Sequence, residues 1–444
     1  MKKNSDEVVV LGLGFVGLTL SVYLALNGKR VLGIETDSTV REKLESQRAH
    51  FYERDLDESL RAVIKNGELS ICQEIPPRAV NQKRIYIITV GTPFLEGEIS
   101  SLAFENALKE IFSDLEDGDC IVTRSTVGIG MATKYIANPA MIMGKDVDVV
   151  VAPERTVEGV ALHELGALPQ LIGGDSRSSR RIKEFFSQVG ISTVDLGSLE
   201  AAEFAKLMSN SFRDLIFAAS NEYAMFADHL GLDFNKILEQ SKSNYHRLSA
   251  LMSPGPVAGP CLSKDPKIFF RSGEIAGFEM KITGAARYQN EYLARHVVEN
   301  ILNQSTTKIG ILGLAFKGQP ETNDTRDSFV NLLLEELTMR EYRGPILLWD
   351  PIGSQLHEKF IGSAMYADLD LIIEECDLVL IQNSNEYFSS EAFVDRLKMR
   401  KSDKHKLMIY QLWNCLPEEM NDSYHVVSLS NFRHLKIKNI ETND

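Results

Sequence analysis

The stretch Val8-Val9-Val10-Leu11-Gly12-Leu13-Gly14-Phe15-Val16-Gly17 sets a short apolar run directly before three glycines at G-x-G-x-x-G spacing. The run reads as a buried strand, and the apolar residues up to Asn27-Gly28 read as a helix entered through the glycine turn. Val31 to Glu35 is the next strand, so the segment predicts a βαβ unit. In such a unit Gly12 permits the tight turn, Gly14 lets a ligand come close to the backbone, and Gly17 lets helix pack on strand. Phe15 and Val16 open the helix, whose N-terminus attracts phosphate charge. The pattern is that of a dinucleotide-binding turn, and Glu35, 18 residues beyond Gly17, places a carboxylate at the end of the second strand. A carboxylate there accepts hydrogen bonds from ribose hydroxyls and repels a 2′-phosphate, which favours NAD over NADP.

Residues 8 to 26 are also uncharged and long enough to suggest a signal peptide or membrane span after Lys2 and Lys3. Asp6 and Glu7 interrupt the basic start, no A-x-A-like cleavage site follows, and three glycines break the continuous helix such a segment needs. Strand, turn and helix is the expected reading.

Further buried strands are expected at Arg84 to Val90, Cys120 to Ser125 and Val147 to Val151, with helical stretches such as Leu102 to Leu115 between them. That alternation predicts a doubly wound parallel sheet, whose ligand crevice lies at the strand ends. Three strips fall there: Gly91-Thr92-Pro93, Ser125-Thr126, and Glu154-Arg155. Glu154 suits acid or base work, and it equally suits an ion pair with Arg155; spacing leaves both open.

From Leu199 to Leu230 no proline or interior glycine occurs, and Phe204, Leu207, Met208, Phe212, Leu215 and Ile216 recur at helical spacing. One long helix is expected, followed by a helical region from Ala276 to Leu302. At Lys308 the opening theme returns: Ile309-Gly310-Ile311-Leu312-Gly313-Leu314-Ala315-Phe316-Lys317-Gly318 can be laid over Val8 to Gly17, with Ala315 in place of the middle glycine. Strands at Ile346 to Trp349, Leu378 to Ile381 and Leu407 to Tyr410 make the last third a second, smaller α/β lobe. The expected fold is therefore α/β, with two Rossmann-like doubly wound parallel-sheet domains joined by a long helix and a helical middle domain. Boundaries are expected at 1–197, 198–303 and 304–444, with a loose polar tail after Lys438.

At 444 residues, 44% hydrophobic and 25% charged, the chain is too long for a single core. A formal net charge of −14 argues against nucleic acid and anionic membranes as partners, so a phosphate-bearing substrate needs local cations. Five cysteines, at 72, 120, 261, 376 and 415, are odd in number and without C-x-x-C spacing, which predicts neither a disulfide framework nor a zinc site. A reducing cytoplasm and no metal are expected.

One of these cysteines stands apart. Cys261 lies in Gly255-Pro256-Val257-Ala258-Gly259-Pro260-Cys261-Leu262-Ser263-Lys264-Asp265. A free cysteine is commonly buried apolar filler. A Gly/Pro-rich loop is a poor place for filler, and Lys264 and Asp265 lie within a turn, where a cation favours the thiolate. A thiolate beside a hydride carrier can hold an aldehyde as an adduct and pass it on to the acid level. Lys206, Asn210 and Arg213, at i, i+4 and i+7 on the long helix, present an ammonium, an amide and a guanidinium. The stripe reads either as a solvated face or as an oxyanion site with a phosphate-binding guanidinium.

Taken jointly, the Gly12 fingerprint, Gly91-Thr92-Pro93, Ser125-Thr126-Val127, Pro153-Glu154-Arg155, Lys206-x-x-x-Asn210, Gly259-Pro260-Cys261 with Lys264-Asp265, and Phe316-Lys317 followed by Arg326-x-Ser328 resemble the UDP-glucose/GDP-mannose dehydrogenase family over essentially the whole chain. The resemblance implies an NAD-binding domain, a helical dimerisation core and a C-terminal domain that binds the nucleotide of a UDP-sugar. It implies twofold oxidation of the sugar CH2OH to a carboxylate. Cys261 then matches the nucleophile, Lys206 and Asn210 the groups that steady the oxyanion, Asp265 and Thr126 the pair that handles water and protons, and Glu154 an assistant in acid/base work or hydrolysis. Arg155, Arg213, Gly259, Lys264, Phe316, Lys317 and Arg326 match substrate contacts. Departures include Ala258, Ser263, Gln382-Asn383-Ser384 and Gln411-Leu412-Trp413-Asn414. Pro153-Glu154-Arg155 with Gly159 and Ile172-Gly173-Gly174 resembles the branch acting on UDP-N-acetylmannosamine or UDP-N-acetylglucosamine, whereas Lys264-Asp265 resembles the UDP-glucose form; GDP-mannose is a further alternative. Remoter readings are a two-electron β-hydroxyacid dehydrogenase, which leaves Cys261 and the last lobe unused, and an inactive nucleotide-sugar sensor.

Overall fold

The structure, a computed structural model, describes residues 6–304, 306–362, 364–400, 407–417, 420 and 424–432. Lys2, Lys3 and the tail after Lys438 lie outside them. The chain divides into two compact units, one of Met1–Ser209 with Lys267–Glu279 and one of Asn210–Pro266 with Met280–Asp444.

The first unit is built on strands β1 (Glu7–Leu11), β2 (Val31–Ile34), β3 (Leu69–Cys72) and β4 (Arg84–Ile88), a small hairpin of β5 (Phe94–Leu95) and β6 (Glu98–Ile99), then β7 (Cys120–Thr123) and β8 (Asp148–Val151). Its main sheet is parallel throughout, in the order β3-β2-β1-β4-β7-β8, so the strand order reverses beside β1. β9 (Gln170–Ile172) and β10 (Thr193–Asp195) form a separate parallel pair. Val8, Val9 and Val10 are fully buried and Leu11 nearly so, because helices cover both faces of the sheet. Each such side chain contributes roughly 1.5–3 kcal/mol of transfer free energy. A helix over Phe15–Leu26 follows the first strand and ends at Asn27 and the left-handed Gly28, as the sequence predicts.

The second unit repeats the plan. Its strands β11 (Ile309–Leu312), β12 (Ile346–Trp349), β13 (Met365–Tyr366), β14 (Leu378–Ile381), β15 (Met408–Gln411) and β16 (His425–Ser428) are parallel in the order β13-β12-β11-β14-β15-β16. The internal repeat extends to details. Gly313 (φ +81°) turns as Gly12 (φ +90°) does. Asp350 accepts from Leu314 N at 2.7 Å, and Glu35 accepts from Leu13 N at 2.9 Å. The repeat stops there, because the next helix begins only at Phe329 and Gly318 packs on a neighbouring backbone instead of under a helix. A Cβ at Gly318 would lie 2.0 Å from Asn385 N.

The long helix runs Leu199–His229, as expected, and the unit boundary falls within it. The helical region after the cysteine loop is two helices, not one from Ala276. Asp265–Ile275 ends where Gly277 takes φ +72° and Phe278 N donates to Gly273 O at 2.8 Å, and Lys281–Leu302 starts afresh. β15 starts one residue later than the predicted Leu407. Among the described residues, no helix is long and apolar enough to cross a membrane.

Candidate active site

In the first unit the glycine turn has the shape of a phosphate cradle. A Cβ at Gly17 would sit 1.8 Å from Gly12 O, so only glycine lets the helix lie against the turn. At Gly14 a Cβ would meet nothing within 4 Å, and the open space above the turn is where a pyrophosphate fits. Thr89 Oγ1 donates to Leu11 O and Gly12 O at 2.8 and 2.7 Å, fixing the strand end. Glu35 Oε2 accepts from Leu13 N and Oε1 from Asp37 N, both at 2.9 Å. Each oxygen keeps a lone pair for a ribose hydroxyl. Phe15 stacks on Phe51 with centroids 4.0 Å apart, holding the first turn of the helix beside Val16. The residues fit a bound NAD.

The neighbouring strand ends add polar groups. Thr92 is buried and its hydroxyl donates to Thr126 O, while Gly91 and Pro93 are exposed. Ser125 Oγ donates to Val90 O at 2.7 Å. Glu154 pairs with Arg124 and not with the Arg155 side chain: Arg124 Nε and Nη2 lie 2.8 and 2.6 Å from Oε2, while Oε1 accepts the backbone N–H groups of Arg155 and Thr156, each at 2.7 Å. Burial works against ionisation of this carboxyl, but Arg124 and the Thr156 donors outweigh it and hold its pKa below the usual carboxylate range.

Lys206 and Asn210 are only 8% and 9% exposed, so they are not a solvated face; Arg213 is exposed and leaves their stripe. One helical turn before Lys206, Glu203 is 2% exposed and accepts from Gly130 N and Ala132 N at 2.6 and 2.8 Å. Burial, opposed by those two donors, pushes its carboxyl up to about 7. It caps the helical turn that follows the Ser125-Thr126 loop.

In the second unit Cys261 is the one exposed cysteine of the five, all of which are free thiols. Gly259 bends the loop beneath it at φ +90° and donates its N–H to Asp327 O at 2.9 Å; a Cβ there would sit 2.4 Å from the Phe316 ring. The carbonyl of Cys261 accepts from Lys264 N at 3.2 Å and Asp265 N at 2.8 Å, which folds the chain into the helix beginning at Asp265. Asp265 is fully buried. It accepts from Asn210 Nδ2 at 2.7 Å and lies 3.6 Å from Lys264 Nζ. The structure therefore brings Asn210, Asp265, Lys264 and the Cys261 turn together, and Gly259 with Phe316. Lys317 Nζ lies 5.5 Å from the Phe316 ring, and Arg326 is exposed and bound to its neighbour Asp324 at 2.6 Å.

Four residues were not singled out from sequence. Arg124 stands next to Ser125, but nothing in one sequence marks it as the partner of Glu154. Glu203 was legible only as an acid three residues from Lys206. Asn221 and Arg287 join elements far apart in the chain, and spacing carries no signal for them.

The chain matches the NAD binding domain of the UDP-glucose/GDP-mannose dehydrogenase family over residues 6–189 and the family's central domain over residues 200–292. A UDP-N-acetyl-D-mannosamine dehydrogenase of Pyrococcus horikoshii is 29% identical over 419 residues, covering 91% of this chain and 94% of its own. An NDP-N-acetyl-D-galactosaminuronic acid dehydrogenase of Ralstonia nicotianae is 27% identical over 420 residues, covering 88% and 94%. The solved structure of a UDP-glucose dehydrogenase from Pyrobaculum islandicum superposes with a TM-score of 0.82 at 24% identity, covering 97% and 99%, a likeness of fold.

Proposed function

Because the chain belongs to the UDP-glucose/GDP-mannose dehydrogenase family and is an NAD-dependent nucleotide-sugar dehydrogenase, we propose that it oxidises the CH2OH of a UDP-N-acetylhexosamine twice, through a covalent adduct on Cys261. The observation that carries this reading is that, of five cysteines, the exposed one sits in a glycine-bent turn leading straight to Asp265 and its bond to Asn210.

Bound NAD supplies the hydride acceptor, one molecule for each oxidation. Cys261 Sγ adds to the carbonyl carbon of the aldehyde, forming a C–S bond and moving the carbonyl electron pair onto oxygen. The Lys206 ammonium and the Asn210 amide, one turn apart on the same helix, steady that oxyanion. Loss of a second hydride leaves a thioester. Water, its proton taken by Asp265 with Thr126 orienting it, attacks the thioester carbon. The C–S bond breaks, the sulfur leaves with its electron pair, and the carboxylate is released. Glu154, held ionised by Arg124, acts as a fixed negative charge orienting that water. Gly12, Gly14, Phe15, Val16, Gly17, Glu35, Gly91, Thr92, Pro93 and Ser125 hold the cofactor. Arg155, Arg213, Gly259, Lys264, Phe316, Lys317 and Arg326 contact the substrate, and the cations among them supply the positive charge that an acidic protein must place locally.

UDP-N-acetyl-D-mannosamine or UDP-N-acetyl-D-glucosamine is the substrate this reading favours, supported by Pro153-Glu154-Arg155 and by relatives named for acetylated sugars. Lys264 beside Asp265 supports UDP-glucose as the second reading. An NADH assay over UDP- and GDP-sugars decides between them. Two NADH per sugar at completion are expected; one would reject the thioester route, and none with both ligands bound would make the protein a sensor.

The 198–303 segment serves as a dimerisation domain between nucleotide-binding domains 1–197 and 304–444. The exposed row Phe204, Met208 and Phe212 on the long helix supports a homodimer, and Phe212→Glu should yield a monomer in sedimentation. Five free thiols support a cytoplasmic home.

A further inference from the structure

A continuous chain of hydrogen bonds through four buried side chains holds both shoulders of the Cys261 loop. Asn221, on the long helix, clamps Gly255 from two sides: Gly255 N donates to Asn221 Oδ1 at 2.8 Å, and Asn221 Nδ2 donates to Gly255 O at 3.1 Å. The same Nδ2 reaches Asn290 Oδ1 at 3.1 Å. Asn290 Nδ2 donates to Asp214 O and Oδ1, both at 2.8 Å. Arg287 Nη1 lies 2.6 Å from Asp214 Oδ1 and donates to Leu262 O at 2.9 Å, the carbonyl next to Cys261.

All four side chains are buried: Asn221 and Asn290 fully, Asp214 to 1% and Arg287 to 6% exposure. A buried Arg–Asp pair adds little net stability, since desolvation offsets its attraction, and its better-attested use is to fix one arrangement. Gly255 itself cannot change, because a Cβ there would sit 2.5 Å from the Trp413 ring. The network thus immobilises the first residue of the loop and the residue after the sulfur, while Cys261 stays exposed between them.

We propose that Arg287 and Asn221 are positioning residues for the reaction: they act through Leu262 O and Gly255 to hold Cys261 Sγ where it meets the aldehyde carbon. The proposal rests on Cys261 being the nucleophile. An error of about 1 Å in such a placement costs up to about a hundredfold in rate, and an aldehyde not captured escapes.

The test compares Arg287→Met, Arg287→Lys, Asn221→Ser and Cys261→Ser in the full-length enzyme. It measures kcat, KM for NAD, NADH formed per sugar, and aldehyde trapped by hydroxylamine. Arg287→Met and Asn221→Ser are expected to lower kcat by about ten- to a hundredfold, to leave KM for NAD within about twofold, and to release trappable aldehyde so that NADH per sugar falls below two. Arg287→Lys should recover part of kcat, since an ammonium can still reach a carboxylate and a carbonyl. Variants that lower only Tm, with two NADH per sugar and unchanged kcat, overturn the proposal. If Arg287→Met does not fold, Asn221→Ser decides it by the same readouts. Two NADH per sugar from Cys261→Ser overturns the nucleophile reading and the proposal with it. A stalled Cys261→Ser beside fully coupled Arg287 and Asn221 variants overturns the positioning role alone.

Discussion

Asn210 Nδ2 donates to Asp265 Oδ2 at 2.7 Å, with the aspartate fully buried and the asparagine nearly so. The bond ties the long helix to the first residue of the helix that follows the cysteine loop. Asn210→Ala removes a charge-assisted hydrogen bond from a buried carboxylate, a loss of about 1.5–3 kcal/mol. Tm is expected to fall and kcat to drop more than tenfold, with KM for NAD unchanged. Equal kcat in the two proteins would show that Asn210 braces the loop without steadying an oxyanion.

The cysteines separate by environment. Burial pushes the thiols of Cys120, Cys376 and Cys415 up to about 12 and raises that of Cys72, whereas Cys261 is exposed. Thiolate is the reactive form, so iodoacetamide at pH 8 should alkylate residue 261 first and abolish NADH formation. Peptide mass spectrometry checks this. A first adduct at any other cysteine, or full activity with residue 261 carbamidomethylated, contradicts the assignment.

The glycine turn yields two opposite expectations. Gly17→Ala drives a methyl into Gly12 O and should destabilise the first unit by several kcal/mol, seen as a lowered Tm without cofactor. Gly14→Ala meets no atom within 4 Å, so Tm should hold while KM for NAD rises at least tenfold. A Gly14→Ala enzyme with unchanged KM for NAD would mean that the pyrophosphate lies elsewhere.

What could be read in advance followed from chemistry that is local in sequence. The βαβ opening, its echo at Ile309, the long helix and the Cys261 loop each declare themselves within a few turns of chain. The helix Asp265–Ile275 is missed and the one after it is placed from Ala276 instead of Lys281, because the end between them is made by the left-handed φ of Gly277 and the Phe278 N–H on Gly273 O, which apolar spacing does not express. The Lys206 stripe looked solvated because charge in a single helix suggests exposure; burial came from packing that the sequence does not express. Arg124 with Glu154, and Arg287 with Asp214 and Leu262, are long-range pairs, and such pairs leave no periodic trace.

Glu203 gives the pH prediction. Its carboxyl is pushed up to about 7 from the ordinary carboxylate value of 4.5, chiefly by burial and also by Glu200, against two backbone donors. A raised carboxyl binds its proton more tightly in the folded state. Its stabilising share is therefore complete below pH 4.5 and is lost as pH rises toward about 7. A shift of this size corresponds to roughly 3 kcal/mol. Glu203→Gln cannot titrate and keeps an oxygen to accept from Gly130 N or Ala132 N, while its amide NH2 faces the other donor. The variant should be less stable at pH 5, and its Tm should change less than that of the wild type between pH 5 and pH 8. The two Tm curves are then expected to converge with rising pH, as the wild-type carboxylate ionises in its buried place. Curves that run parallel over this interval would mean that Glu203 is already ionised at pH 5, with the Gly130 and Ala132 donors outweighing burial.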